Sequence, residues 1–369
     1  MSSTKSQGKS SLSRMNRREA VTGWLMAGPV IILIFMFLIV PFLMAFGLSF
    51  TNQRLVSPNP TEWVGMRNFK RLMTVKTLTM DPLVDEKSGA FLTDETGNIA
   101  YPRLREFTRN PDYPQYTGMR ELFSYNRGDS KIIVLASDVI FLKALLNTLK
   151  FVFIVVPCQG GLALLLALLL NRKLKGINLF RTLFFMPVIV SMVVVALLWK
   201  FIYDGQNGLL NTLLSGLTFG SFQPVDWIGK PATALPAIII MSIWQAVGFH
   251  MVIWLAGLQN IPIVRYEASS IDGAGIFQQF RYVTWPGLRN TAVFVFVVIT
   301  MQAFAVFTQI NAMTKGGPLD STQTVIFQAV ERGYGKQDIA GGSAISVIFF
   351  MLVLMVSILQ RVLTREKEG

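Results

Sequence analysis

Side chains that could carry out catalysis or hold a metal ion are scarce in this 369-residue sequence. His250 is its only histidine and Cys158 its only cysteine, so a metal cluster and an intrachain disulfide both lack their residues. The patterns HExxH, CxxC and GxSxG do not occur. Gly8-Lys9-Ser10 matches the end of a phosphate-binding loop, but Ser3 stands where the first glycine belongs and no strand precedes it. The sequence predicts no catalytic residue, no metal site and no cofactor bound by this chain.

The chemistry that remains is hydrogen bonding by polar side chains inside apolar segments. Gln245 and His250 lie in one such segment, where hydrocarbon offers no hydrogen-bond partner. They predict either contacts between helices, which the residues alone favour, or the lining of a substrate cavity.

A second feature is a polar stretch, Tyr266–Gly287, between two apolar runs. Gly273 and Gly275 can both adopt a positive φ, so a helix that ends near Asp272 can turn there. A further short helix is predicted to stop at Pro286, which has no N–H. Its residues at helical spacing are Phe277, Phe280 and Thr284. The pattern favours two short helices against a membrane face, or an amphipathic helix that re-enters the membrane surface.

Six apolar runs of about 20 residues, the length that crosses a bilayer, must position these residues. The chain is 52% hydrophobic and 15% charged, whereas a soluble domain carries about 25% charged residues. The sequence therefore predicts an all-α polytopic membrane protein. The predicted spans are Trp24–Phe50, Phe151–Leu170, Leu183–Tyr203, Ala234–Leu258, Thr291–Ile310 and Gly341–Leu363.

The net charge of +13 follows the predicted membrane topology and does not indicate nucleic-acid binding. Lysine and arginine are concentrated before the first span, between the second and third, in the polar stretch and after the last span. The positive-inside rule therefore predicts that both termini and the polar stretch are cytoplasmic.

The spans divide the chain into a tail, a first helix, an insertion and a core. We expect residues 1–18 to form a disordered cytoplasmic tail. We expect residues 19–50 to form the first transmembrane helix. Residues 51–138 predict an ordered, loop-rich extracytoplasmic cap, and residues 139–365 the transmembrane core with its loop at 259–287. Aromatic residues of the cap predict a small core or, less favoured, a binding surface: Phe107, Tyr113, Tyr116, Phe123 and Tyr125.

The polar stretch resembles the EAA loop of permease subunits of bacterial ABC importers. That pattern is E-A-A, three residues, Gly, nine residues and I-x-L-P. Glu267, Ala268, Gly273 and Pro286 match it, whereas Ser269, Val283 and Trp285 replace its third small residue, its Ile and its Leu. The segments FRT…P…WK, GLQNIP and TKGGP are further similarities to sugar permeases. The chain thus resembles a MalF-like permease subunit of a carbohydrate ABC importer.

This resemblance implies a MetI-like six-helix permease with an extracytoplasmic insertion, in the bacterial inner membrane. It implies that the loop docks on a cytoplasmic ATPase through Arg265, Tyr266, Glu267, Ala268, Ser269, Asp272, Gly273 and Pro286. The segment before the loop would help to form a midplane sugar site from Ser242, Trp244, Gln245 and His250. Weaker candidates for that site are Gln302, Gln309 and Asn311.

The implied partners are a homologous MalG-like permease, a dimer of MalK-like ATPases that binds ATP and Mg²⁺, and an extracytoplasmic sugar-binding protein. Membrane lipid would surround the chain. The alternative function is a membrane receptor or scaffold that binds an extracytoplasmic ligand without transport.

Overall fold

The computed structural model describes residues 5–85, 90–93, 97–172 and 175–364, with side chains between residues 19 and 362. Five helices of this part are long and apolar enough to cross a bilayer, and a bent pair of helices makes a sixth candidate. The predicted all-α polytopic fold is therefore confirmed. Because successive spans run in opposite directions, the bundle has an insertion side, which carries residues 51–138, and a loop side, which carries residues 260–288.

The first span is a helical rod that contains a π-helical turn. Helix α1 covers Lys5–Ile34, the π turn Phe35–Ile39 and helix α2 Val40–Leu48. The N–H of Val40 donates to the carbonyl of Phe35, five residues back. Pro41 follows at the start of α2, where its missing N–H leaves no gap in the hydrogen bonding of the turn.

Residues 5–18, the described part of the predicted disordered tail, are helical and continue into the first span. The stretch contains no proline, and its lysine and arginine residues are better helix formers than Gly8 and its four serines. Extending a helix that the apolar span has already nucleated costs little free energy.

The insertion is a small α/β unit with a three-stranded antiparallel sheet in the order β1-β3-β2. Its elements are α3 (Arg67–Met73), β1 (Val75–Met80), α4 (Arg105–Thr108), a 3₁₀ turn (Pro114–Tyr116), β2 (Arg120–Arg127) and β3 (Ser130–Ala136). The register pairs Val75 with Ala136, so the first residue of β1 and the last residue of β3 lie side by side.

Only part of the aromatic set in the insertion forms a core. Phe107 and Tyr116 pack against a buried cluster that includes Leu78, Ile133 and Leu135. Tyr113 stacks on Phe107 with ring centroids 5.2 Å apart. Phe123 and Tyr125 are 51% and 50% exposed and stack on each other. They lie two residues apart on β2, so both point to the face of the sheet that is not covered, and their assignment to the core was wrong.

The helix that contains the second span begins earlier than the predicted Phe151. Helix α5 covers Val139–Leu170. The carboxylate of Asp138 caps this helix by accepting a hydrogen bond from the N–H of Phe141 at 3.0 Å. Lys143 and Lys150 therefore belong to the same helix as the apolar segment.

The third span, predicted as one helix over Leu183–Tyr203, is broken. Its two helices are α6 (Ile177–Ile189) and α7 (Met192–Ile202), which meet at a bend of 99°. Pro187 removes the N–H that would bond to the carbonyl of Leu183, and Val190 and Ser191 are then extended, with ψ near 136° and 134°. Pro187 is visible in the sequence, but the prediction of one continuous helix missed that the helix ends at Ile189, two residues after this proline.

Helix α9 is the centre of the bundle. A short helix, α8 (Leu209–Leu217), precedes it, and α9 itself covers Pro231–Gln259. It packs against α5, α6 and the later helix α13 (Arg289–Phe304), and it buries Trp254 completely. A Cβ at Gly248 would lie 1.9 Å from the carbonyl oxygen of Phe184, so only glycine permits this approach of α6.

The loop side and the last two spans complete the fold. The elements are α10 (Ile263–Ile271), α11 (Ile276–Gln279), a π turn (Phe280–Thr284), α12 (Trp285–Gly287), α13 (Arg289–Phe304), α14 (Thr308–Met313), α15 (Val325–Val330), a π turn (Glu331–Gly335) and α16 (Ile339–Thr364). Helices α13 and α14 together form the fifth span and α16 the sixth.

Candidate functional site

The turn on the loop side forms at one glycine. Gly273 has φ +77° and ends α10. Its N–H donates to the carbonyl of Ser270 at 3.1 Å, and the N–H of Ala274 donates to the carbonyl of Ser269 at 2.9 Å. This is the Schellman pattern, which needs a residue in the left-handed region. The predicted turn is confirmed at Gly273, whereas Gly275 has φ −72° and begins α11.

The predicted stop at Pro286 is wrong, because the helix continues past it. The π turn shifts the hydrogen bond of Trp285 back to the carbonyl of Phe280, five residues away. The N–H of Leu288 then donates to the carbonyl of Thr284 at 2.9 Å and restores the α-helical pattern. As in the first span, a π turn places a proline where no donor is required. The loop is consequently continuous with α13.

A chain of polar side chains fastens α10 to the helix that follows the turn. The hydroxyl groups of Tyr266 and Thr284 lie 3.0 Å apart. The Nε2 of Gln279 donates to Oγ of Ser270 at 2.9 Å, and this Oγ donates to the carbonyl of Tyr266 at 2.8 Å. Thr284 is buried, whereas Tyr266 is half-buried. Tyr266 therefore holds the loop together from within.

Four of the remaining loop candidates lie on its surface, whereas Ser269 is half-buried and its Oγ donates to the carbonyl of Tyr266 at 2.8 Å. Arg265, Glu267, Ala268 and Asp272 are all exposed. Large apolar side chains around the turn are exposed as well: Ile271, Ile276 and Phe277. Exposed apolar side chains rimmed by charges are typical of a protein-docking surface.

Within the bundle, a cavity of about 350 Å³ lies between the second and fifth spans. It is bounded by α5, the bend between α6 and α7, α9, α13 and α14. Its polar lining residues are Gln159, Ser242, Gln245, Gln302 and Gln309, and its aromatic ones are Phe151 and Phe249. Carboxamides and a hydroxyl both donate and accept hydrogen bonds, so this cavity suits a neutral, polyhydroxylated ligand.

The structure brings together some of the candidates for a substrate site and separates others. Ser242 and Gln245 line the cavity, as do the weaker candidates Gln302 and Gln309. Trp244 instead packs against Trp199, with ring centroids 5.4 Å apart. His250 is completely buried behind the lining, and Asn311 is exposed outside it.

Gln159 is a lining residue that the sequence analysis missed. It is 3% exposed, and its Nε2 lies 2.9 Å from Nδ1 of His250. The same Nδ1 lies 3.0 Å from the carbonyl of Ala246. The position of the proton on His250 decides whether Nδ1 accepts a hydrogen bond from Gln159 or donates one to the carbonyl of Ala246. Gln159 is a polar residue inside a predicted span, and this signal could have identified it.

On the insertion side, an ion-pair cluster connects three parts of the chain. Arg332 pairs with Asp138, at the start of α5, and with Asp338, at the start of α16, at 2.5 and 2.9 Å. Arg71, on α3 of the insertion, pairs with Asp338 at 3.1 Å. Burial alone would raise the pKa of Asp338. Hydrogen bonds from Arg332 and the N–H of Gly341, with the nearby arginine charges, hold that pKa below its usual value.

Comparisons with known proteins identify the family to which the chain belongs. The profile of the family "Binding-protein-dependent transport system inner membrane component" matches residues 159–368. The lactose transport system permease protein LacF of Rhizobium radiobacter is 31% identical over 274 residues, which cover 73% of this chain and 90% of that protein. The trehalose/maltose transport system permease protein MalF of Thermococcus litoralis is 28% identical over 346 residues, 94% of each chain.

A solved structure also matches over nearly the whole chain. It is a bacterial ABC transporter involved in the import of the acidic polysaccharide alginate, with a TM-score of 0.69 and 19% identity. The alignment covers 97% of this chain and 99% of that one, so the insertion as well as the spans share its fold.

Proposed function

Because the chain belongs to the family of binding-protein-dependent transport system inner membrane components, we propose that it is the permease subunit of an ABC-type sugar importer. It forms one half of the translocation path through the membrane. The observation that carries this proposal is the amide-lined cavity at the centre of the spans. The sugars named for two relatives, lactose and trehalose or maltose, have the hydroxyl-rich chemistry that such a lining binds.

The lining assigns roles to individual side chains. Gln159, Gln245, Gln302 and Gln309 would exchange hydrogen bonds with sugar hydroxyl groups. The aromatic lining residues would pack on the C–H faces of the ring. His250 would position Gln159 from behind the lining, since its Nδ1 lies within hydrogen-bond distance. Trp244 packs against Trp199 outside the lining, so it is not part of the proposed sugar site.

The loop side is proposed to couple transport to ATP hydrolysis in a separate ATPase subunit. The exposed segment from Glu267 to Gly273 would enter a groove of that subunit, with Arg265 and Asp272 at the rim. ATP and Mg²⁺ would bind to the ATPase dimer and not to this chain. A homologous second permease would complete the path.

A continuous route connects this loop to the cavity. The contact between Tyr266 and Thr284 links α10 to the helix after the turn, and hydrogen bonds through Leu288 continue that helix into α13. Gln302 of α13 lines the cavity. A displacement of the loop by a closing ATPase dimer would therefore shift a wall of the cavity and alternate its access.

The proposed orientation places both termini and the loop in the cytoplasm, within the inner membrane, and the insertion outside. The distribution of basic residues supports this orientation. The insertion would then meet an extracytoplasmic sugar-binding protein. The family description supports a binding protein as a partner, without naming its ligand. Phe123 and Tyr125 offer an exposed aromatic surface for that contact.

A deletion whose two ends lie side by side in the sheet tests the docking role of the insertion. Val75 pairs with Ala136, so replacing Lys76–Leu135 by a short Gly/Ser linker closes the chain and keeps α3. The binding-protein concentration for half-maximal ATPase stimulation should rise, while assembly with the ATPase persists. An unchanged concentration would reject docking at the sheet.

Co-purification with the ATPase tests the coupling role and separates transport from the receptor alternative. Glu267→Arg should weaken retention of the ATPase. Glu62→Arg makes the same charge change at an exposed residue of the insertion side and should not. If the wild-type permease pair retains no ATPase, the receptor or scaffold function is favoured instead.

A further inference from the structure

A second cavity, of about 560 Å³, opens on the insertion side and is separate from the amide-lined one in its residues. It lies between the first half of α5, the start of α9 and the tip of the loop at residues 319–321. We call it the lysine cavity, after Lys143 and Lys150, which line it. Neither the family description nor the function proposed above assigns it a role.

The lysine cavity has two chemically different ends. Lys143, Lys150, Asp320 and Ser321 are polar or charged. The residues deeper along the two helices are apolar: Ile154, Leu235, Pro236 and Ile239. A cavity with a cationic end and an apolar end matches an amphipathic ligand that carries a negative charge.

The lining of the cationic end has two lysines and one carboxylate, so its positive groups outnumber its negative one. Lys143 is half-buried, yet neither lysine forms an ion pair with any carboxylate of the residues that the structure describes. Asp320 is the one carboxylate of the lining, and its Oδ1 accepts a hydrogen bond from Nε2 of Gln323 at 3.3 Å. The Oγ of Ser321 is buried and has no hydrogen-bond partner within the described part of the chain. Two ammonium groups and one hydroxyl are thus available to an anion.

The depth of the lysines matches that of lipid headgroups. Residues 151–170 of α5 span about 30 Å at about 1.5 Å per residue, which is the thickness of the hydrocarbon core. Lys150 therefore lies at its boundary and Lys143 about two turns further out. Ile154 lines the apolar end and is 44% exposed. Its side chain presents an apolar surface on which an acyl chain can continue.

The tip of the loop is held over the cavity in an unusual conformation. Leu319 and Asp320 have φ of 50° and 62°, in the left-handed region that side chains other than glycine rarely adopt. The Nδ2 of Asn147 on α5 donates to the carbonyls of Asp320 and Gln323, at 3.3 and 3.1 Å. The loop is therefore fixed to the helix that carries both lysines, and the cavity has a defined wall.

We propose that the lysine cavity binds an anionic phospholipid, with its phosphate at Lys143, Lys150 and Ser321 and an acyl chain along Ile154 and Ile239. The ligand bridges the second span, the fourth span and the loop between the fifth and sixth. A soluble anion would satisfy the lysines but would leave the apolar end against water, so the lipid fits the whole cavity better.

Binding is measured by native mass spectrometry of the assembled transporter complex, titrated with phosphatidylglycerol, phosphatidylcholine or glycerol phosphate. The wild type should bind phosphatidylglycerol more tightly than phosphatidylcholine. Lys143→Gln and Lys150→Gln should each weaken this binding about five-fold, the equivalent of about 1 kcal/mol per lysine. Lys143→Arg, which keeps the charge, should retain it.

Lys200→Gln is the matched control, because Lys200 is an exposed lysine near the insertion-side end of α7 and outside the cavity. It should bind phosphatidylglycerol like the wild type. Equal melting temperatures of all variants in phosphatidylcholine would show that they are folded. Unchanged phosphatidylglycerol binding in the variant that combines Lys143→Gln with Lys150→Gln would overturn the proposal. So would glycerol phosphate binding as tightly as the intact lipid.

Discussion

Replacing Gly273 by alanine isolates the conformation of the coupling turn from all side-chain contacts. Gly273 has φ +77°, and a Cβ built on it meets nothing within 4 Å. The substitution therefore adds no clash and changes only the backbone preference. An L-residue in the left-handed region costs roughly 1–2 kcal/mol. Gly275 is the matched control, since its φ of −72° is accessible to alanine and only Gln278 lies near, at 3.8 Å.

The expected effect follows from this cost. A bias of about 1–2 kcal/mol lowers the population of the turned loop relative to its alternatives by about 5- to 30-fold. When the ATPase binds only the turned loop, Gly273→Ala should weaken its affinity for the permease within this range. Gly273→Asn should cost less, because asparagine tolerates this region better. Gly273→Pro fixes φ near −65° and removes the N–H that bonds to Ser270, so it should abolish coupling.

The assay is the equilibrium affinity of the ATPase dimer for the purified permease pair in nanodiscs, with sugar uptake as a second readout. Membrane insertion and thermal stability should match the wild type, because no span changes. Equal ATPase affinity for Gly273→Ala and Gly275→Ala would refute the reasoning that the left-handed turn positions the docking segment.

Three further predictions concern the cavity, the ion-pair cluster and the topology. His250→Leu removes the partner of Gln159, a hydrogen bond worth about 0.5–1.5 kcal/mol, so the KM for sugar uptake should rise about 2- to 13-fold; a change in assembly alone would contradict a positioning role. The lowered pKa of Asp338 stabilises the folded state above about pH 4, the ordinary aspartate pKa, and this contribution is lost as the pH falls through the lower folded-state pKa. Melting temperature in acid should therefore depend less on pH in Asp338→Asn, and an unchanged profile would count against the ion pairs. A cysteine at Ser88, which lies outside the described residues, should react with an impermeant thiol reagent in intact cells without an outer-membrane barrier. One at Lys175 should react only after lysis, and the reverse result would invert the topology.

Hydrophobic runs and glycine positions predicted the parts of the fold that depend on local sequence. The number of spans follows from apolar length, and the turn at Gly273 follows from the spacing of the polar stretch. Prolines were harder to interpret. Pro286 and Pro41 are accommodated by π turns, whereas Pro187 precedes a break, because each outcome depends on how the rest of the bundle packs.

Side-chain roles depended still more on tertiary packing. Ser242, Trp244 and Gln245 are close in sequence, but successive residues of a helix face different directions, and Trp244 points away from the cavity. Gln159 joins the cavity only because α5 packs against α9, next to His250. One ion pair of Arg332 joins it to Asp138, 194 positions earlier in the chain, and no local pattern could indicate that contact.

Sugar uptake by the reconstituted complex tests the central claim most directly. The measurement is ATP-dependent accumulation of radiolabelled sugars in proteoliposomes that contain this chain, its partner permease and the ATPase, with the binding protein added. Accumulation of a neutral sugar is predicted, and Gln245→Leu should reduce it while leaving assembly intact, since Gln245 lines the cavity. Sugar binding and nucleotide hydrolysis without accumulation inside sealed vesicles would contradict a permease that forms the translocation path.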